Sequence, residues 1–198
     1  MKQFWNERYA EHEFAYGKEP NQFLKAHLHI LPKGKILFVA EGEGRNAVFA
    51  AKNGFQVYAF DYSDSGRKKA KELASENNVV IDYEVSDVLQ LSYEKNSFDA
   101  VVFIFAHFPS DIRKKAHEKL LTLLKINGKI LFEAFSKEQI NYTSGGPKDF
   151  SMLFSEDEVK NEFTRVNFDF LKTEIVDLNE GPYHQGKGVV VRFIGAKK

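Results

Sequence analysis

Glu41-Gly42-Glu43-Gly44-Arg45-Asn46-Ala47 is the stretch of this chain best equipped to hold a ligand. It lies between an apolar run, Lys35 to Ala40 (KILFVA), and a segment with helical spacing, Gly42 to Asn53. Glycine at such a turn lets backbone approach a ligand closely, and the first N–H groups of a helix have no partner within the helix. Glu41, Gly42, Glu43, Gly44 and Asn46 are therefore candidate contacts. The spacing Gly42-x-Gly44-x-x-Ala47 also fits a dinucleotide site, or a tight turn with no ligand at all.

Asp61 follows Gly42 by 19 positions, close to the spacing of about 20 expected of an acid that grips ribose. A carboxylate there accepts hydrogen bonds from two adjacent hydroxyls. The rival reading is a helix-capping acid, since Ser63 and Asp64 follow. Asp87, with Val88 beside it, stands just past a third apolar segment and suits the amino group of an adenine; a solvated turn acid is the alternative. Phe105-Ala106-His107-Phe108-Pro109 follows a fourth apolar run. His107 can serve there as a base or a binding group, or be structural. His184, in the glycine-containing stretch Gly181 to Gly188, is a second candidate base, with a solvated loop histidine as its alternative.

These groups need strand ends to position them, and the hydrophobic pattern supplies the strands. Lys35 to Ala40, Phe55 to Phe60, Val79 to Val85, Phe98 to Phe105 and Lys129 to Phe135 read as buried strands. Helical segments separate them. Gly54 ends the first, Ser63 or Asp64 caps the second, and Pro109 or Ser110 opens a third that runs to Leu124. Strand–helix repeats of this length predict a doubly wound α/β domain with a mostly parallel sheet. Ser155 and Glu158 predict a capping box on a helix to Phe163. Phe168 to Leu178 and Gly188 to Ala196 predict an antiparallel hairpin around a loop at Asn179 to Lys187. Gln3 to Leu28 reads as short helices ahead of the first strand.

Composition narrows the function. The 198 residues fit one domain, and Lys plus Arg equals Asp plus Glu at 28 each. That balance supplies no long-range attraction for nucleic acid or an anionic membrane. With no cysteine, disulfides, thiolate zinc sites and cysteine nucleophiles are excluded. No run of about 18 apolar residues is present and Met1 to Phe14 lacks an apolar core, so the expectation is a cytoplasmic protein, monomer or homodimer, with no metal.

Taken together these segments resemble the class I S-adenosylmethionine-dependent methyltransferases. Ile36 to Ala51 (ILFVAEGEGRNAVFAA) is similar to the family's glycine-rich first motif, and Val57 to Ala70 to its second-strand motif. Phe98 to Phe108 and Leu124 to Phe135 are similar to its fourth- and fifth-strand motifs. Phe4 to Leu24, Tyr142 to Pro147 (YTSGGP) and Glu180 to Arg192 (EGPYHQGKGVVVR) resemble a bacterial branch related to tellurite- and thiopurine-type enzymes. The chain departs from the pattern at two places, with Phe38 where an acid is usual and Ala40 where the first glycine is usual.

The resemblance implies a Rossmann-like, seven-stranded sheet with a C-terminal antiparallel hairpin. It also implies one domain over residues 1–198, in which 1–30 form a helical cap. Cofactor contacts are implied at Gly42, Glu43, Gly44, Asp61, Tyr62, Asp87, Val88, Ile104, Phe105 and Ala106, to which Ser63, Glu41 and Asn46 are added as neighbours. Trp5, Tyr9 and Tyr16 are implied to fold over the cofactor. Tyr142, Gly145 and Gly146 are implied to wall the acceptor, a small molecule, with a soft sulfur, selenium or tellurium nucleophile as one option. Two competitors remain: an NAD(P)-dependent reductase, against which stands the lack of a Tyr-x-x-x-Lys pair, and a non-catalytic adenosine-binding domain.

Overall fold

The structure is a computed structural model that describes residues 2–198; Met1 lies outside them. Two helices, α1 (Lys2–Ala10) and α2 (Gln22–His27), precede the sheet. The alternating body follows as β1 (Lys35–Val39), α3 (Arg45–Lys52), β2 (Gln56–Asp61), α4 (Asp64–Glu76), β3 (Asp82–Val85), β4 (Phe98–Ile104), α5 (Ser110–Leu123) and β5 (Leu124–Phe135). It ends with α6 (Glu156–Glu162), β6 (Val166–Glu180) and β7 (His184–Lys197).

The seven strands lie in the order β3-β2-β1-β4-β5-β7-β6. The first five pair in parallel, and β7 runs antiparallel between β5 and β6. The expected fold is thus the observed one. Because side chains alternate across a strand, β1 feeds two cores. Leu37 and Val39 join Phe103, Phe132, Phe193, Leu120 and Phe163 on one face. Ile36 and Phe38 join Leu24, Val48, Leu73, Val102 and Ile194 on the other. Phe38 is fully buried there, under α2 and α3, which explains an aromatic where an acid was expected.

Several boundaries differ from the sequence expectation for physical reasons. Helix α3 starts at Arg45 instead of Gly42, because Gly42 (φ +63°) and Gly44 (φ +87°) are left-handed and cannot continue a helix. β3 starts at Asp82 instead of Val79; Val80 is apolar but 88% exposed. The hairpin is longer than its apolar stretches, with pairing carried on to Glu180↔His184 and only Gly181 to Tyr183 left to turn. β5 pairs at Leu124 with Phe98, then resumes at Lys129 with Ala100, because Asn127 (φ +62°) throws the intervening residues out of register.

Helix α6 carries the predicted capping box, with Ser155 Oγ accepting the Glu158 N–H and the Glu158 carboxylate accepting the Ser155 N–H. Ser155→Ala should destabilise the fold by about 1 kcal/mol, a drop in Tm of about 2–4 °C in a thermal melt. An unchanged Tm would mean that the cap contributes nothing to stability.

Candidate active site

At the carboxyl ends of β1, β2 and β4, where the order turns outward from β1 in both directions, lies a cavity of about 650 Å³. Open α/β sheets bind ligands at such a switch point. Of the residues singled out from sequence, Trp5, Tyr16, Glu41, Asn46, Asp61, Tyr62, Ile104, Phe105, His107, Gly145, Gly146 and His184 line it.

Asp61 ends β2 and is 6% exposed. Its Oδ2 accepts the Gly42 N–H at 3.1 Å and its Oδ1 accepts the Ser63 N–H at 2.9 Å. Burial raises its pKa to about 6, against those backbone donors. Glu41 folds back over the start of α3, where its Oε1 accepts the N–H groups of Asn46 (2.9 Å) and Ala47 (2.7 Å). Burial pushes it up to about 7. The free amides of the helix start are thus occupied by the chain's own carboxylate, placed on the cavity wall.

Trp5 stacks on Tyr9 with ring centroids 5.4 Å apart, and α1 lies against α4 through Asn6, whose Oδ1 accepts the Ser63 hydroxyl at 2.7 Å. Farther along, the cavity is walled by Phe105, Phe108, Phe135 and Met152 and by the loop carrying Gly145 and Gly146, with Arg8 and Lys148 also on it. Arg8 stacks over Tyr183 at 3.7 Å and has no carboxylate within salt-bridge distance among the described residues.

Eight expected contacts do not line the cavity. A Cβ on Gly42 would sit 2.6 Å from the Tyr9 hydroxyl, so the space its missing side chain leaves is filled by α1 and not by a ligand. Gly44 serves helix packing, since a Cβ there would lie 2.5 Å from Ala70 Cβ. Glu43 points the other way, pairing with Lys69 at 2.7 Å and accepting the Ala15 N–H at 2.8 Å; it ties down the N-terminal segment. Ser63 caps α4 through the Gly66 N–H. Asp87 caps the turn at Val88–Gln90 and reaches the cavity only through Tyr62, whose hydroxyl it accepts at 3.0 Å. Val88 and Ala106 are 1% exposed within the core. Tyr142 stands off the cavity, which Thr143 lines in its place.

The two candidate bases differ sharply. His107 has both ring nitrogens engaged: Nδ1 lies 2.9 Å from the Met152 carbonyl, and Nε2 accepts the Phe135 N–H at 3.3 Å. Burial lowers its pKa to about 4. No lone pair is left to take a substrate proton, so His107 holds the loop at Met152 against β5 and is not a base. His184 is no solvated loop residue. It opens β7, is 5% exposed, and lies between Tyr16, Phe105 and Phe135.

Sequence reasoning missed the polar layer beneath the cavity. Asn21 Nδ2 donates to Glu133 (2.6 Å) and Glu180 (2.9 Å), Arg45 pairs with Glu180 at 2.8 Å, and Arg192 pairs with Glu133. Glu180 and Arg192 bound the quoted EGPYHQGKGVVVR motif, so their signal was present, but their partners lie on α3, β5 and the start of α2.

Residues 36–128 match the family described as a methyltransferase domain. The family and the fold agree with the class I resemblance. A demethylmenaquinone methyltransferase of Renibacterium salmoninarum is 32% identical over 106 residues, 54% of this chain and 43% of that protein. The chain therefore spans less than half the length of the curated relative it matches. A SAM-dependent methyltransferase structure from Anabaena variabilis has a TM-score of 0.72 at 15% identity, covering 100% of this chain and 93% of that one. TehB from Haemophilus influenzae has a TM-score of 0.71 at 18% identity, covering 100% and 67%. Both structures share the fold of this chain over its whole length. Among the described residues no helix is long and apolar enough to cross a membrane.

Proposed function

We propose that the protein transfers a methyl group from S-adenosylmethionine to a small-molecule acceptor bearing a soft sulfur, selenium or tellurium nucleophile. The observation that carries this is the Asp61 carboxylate, held at the cavity wall by the backbone of the glycine loop, where it can take the two ribose hydroxyls. The donor set suits the rest of the cofactor. Glu41 and the faces of Trp5, Tyr16 and Phe105 favour a cation. Asp87 acts through Tyr62.

When bound, the cofactor supplies an activated methyl group on a sulfonium. The chain supplies position: orientation of the acceptor in line with the methyl–sulfur bond is the main source of rate. Residues 1–30 act as a cap. Trp5, Tyr9 and Tyr16 roof the cavity, and the Glu43–Lys69 pair, with Lys69 Nζ also donating to the Glu13 carbonyl at 2.6 Å, holds that roof down. The acceptor side, with Phe105, Phe135 and Met152, is apolar and polarizable, which suits a soft nucleophile. An NAD(P) reductase is not favoured, because the matched family is a methyltransferase domain.

Calorimetry with S-adenosylmethionine, S-adenosylhomocysteine, NADH and NADPH tests the reading; binding of only the last two would overturn it. The affinity should also depend on pH with a definite sign. S-adenosylmethionine carries a net positive charge, so it favours ionised Glu41 and Asp61, whose pKa values burial holds at about 7 and 6. Binding should therefore release protons and weaken about tenfold from pH 7.5 to 5.5, the equivalent of a one-unit pKa shift. Affinity that is flat across this window would separate both acids from the cofactor.

A further inference from the structure

We infer that Glu180 is a positioning residue: its carboxylate takes the Nδ1–H of His184 and so turns the Nε2 lone pair toward the acceptor side of the cavity. This rests on the methyl-transfer reading for its purpose, but not for its geometry.

Glu180 ends β6 and His184 opens β7, directly paired across the hairpin. Both are nearly buried, at 7% and 5% exposure. Three donors converge on the Glu180 carboxylate: Asn21 Nδ2 on Oε1 at 2.9 Å, and on Oε2 Arg45 at 2.8 Å and His184 Nδ1 at 3.4 Å. Burial alone would raise its pKa, but His184 and Arg45 bring it to about 2, so it stays an anion. An anion at Nδ1 requires that nitrogen to carry the proton. Nε2 then holds the lone pair, and among the described residues nothing hydrogen-bonds to it. Its edge faces Gly145 on the cavity wall, where a Cβ would come within 2.5 Å of Cδ2 and 3.1 Å of Nε2. Glycine at 145 leaves that edge open. His117 shows the contrast: it too pairs with a carboxylate, Glu162 at 2.8 Å, but its Nε2 is sealed in the core without a partner.

The charged and titratable groups facing His184 are Glu180 on β6, Arg45 on α3, Arg8 on α1, Tyr16 and His107. Burial and the two arginines hold the ring neutral against the pull of Glu180. A neutral imidazole oriented by a carboxylate is a general base. For a protonated acceptor such as a thiol, the S–H proton passes to Nε2 as the sulfur lone pair forms a bond to the methyl carbon. The methyl–sulfonium bond breaks, its electron pair stays on the departing thioether sulfur, and the imidazolium facing Glu180 later gives its proton to water. An acceptor that arrives as an anion needs no such step.

The test compares two thiols at pH 7: 2-mercaptoethanol, which is protonated, and 4-nitrothiophenol, which is ionised. His184→Gln should lower kcat with 2-mercaptoethanol by about 100-fold, the lower range for loss of a general base, and the loss with 4-nitrothiophenol should be at least about tenfold smaller. Equal losses would overturn the assignment. Nitrogen-15 NMR of His184 in the wild-type chain reads the tautomer without turnover: Nδ1–H is expected, and Nε2–H would overturn the inference even if neither thiol is a substrate. Glu180→Gln should lower the His184 pKa read from nitrogen-15 shifts across a pH titration, and an unchanged value would overturn the role of Glu180. Failure of the wild-type chain to bind S-adenosylmethionine would sink the methyl-transfer reading and leave the tautomer result standing.

Discussion

Asp61→Ala will bind S-adenosylmethionine at least about tenfold more weakly than the wild-type chain, the loss of about 1.5–3 kcal/mol expected when a charge-assisted hydrogen bond is removed. Two effects combine. The ribose hydroxyls lose their acceptor, and the N–H groups of Gly42 and Ser63, now bonded to Oδ2 and Oδ1, lose theirs. The second effect loosens the glycine loop itself. Asp61→Asn separates them. Its amide oxygen can still accept one N–H, so the loop is partly held while the negative charge is gone. If ribose binding dominates, Asn should fall close to Ala in calorimetric affinity; if loop order dominates, Asn should recover most of it. An Ala variant with undiminished affinity would remove Asp61 from the site and take the central support of the proposed function with it.

The part of this site that could be read from the sequence is the part built from strand ends. Asp61 and Glu41 each follow a continuous apolar run and Phe105 ends one, and a parallel sheet brings the ends of such runs to one edge whatever the rest of the chain does. Direction was harder to read. Glu41 and Glu43 are two residues apart and chemically identical, yet one faces the cavity and the other Lys69. That choice is made by left-handed Gly42 and Gly44; the glycines mark a turn in the sequence, but not which way each flanking side chain points. Non-local packing was invisible: Tyr9 fills the space beside Gly42 from 33 positions away. The hairpin end, Asn179 to Lys187, looked like a loop because its side chains are mostly polar. Its ladder is made by backbone groups, which pair regardless of side-chain polarity, and the buried face of that same ladder delivers Glu180 and His184.

The polar layer under the cavity carries the largest expected stability effect. Glu133 is fully buried on β5, where it accepts from Arg192 and from Asn21 Nδ2. Glu133→Ala would leave the Arg192 guanidinium, itself 17% exposed, with Glu174 at 3.0 Å as its remaining carboxylate. Removing one partner of a buried ion pair costs about 3–5 kcal/mol, and the surviving Glu174 contact points to the lower end of that range. Urea unfolding should show this as a lower midpoint with an unchanged slope, and a loss below about 1 kcal/mol would mean the pair is not buried in solution. The paired change Glu133→Leu with Arg192→Met is the sharper experiment, because replacing both charges by apolar groups of similar volume is often neutral or stabilising. Asn21 caps α2 through the Leu24 N–H and gives its own N–H to Asn46 Oδ1 at 2.9 Å on the cavity wall. Glu133 thus aligns the cavity through Asn21. A double variant that keeps wild-type stability but loses cofactor affinity would show that this buried charge pair is retained for alignment and not for stability; recovery of both would assign it no functional role.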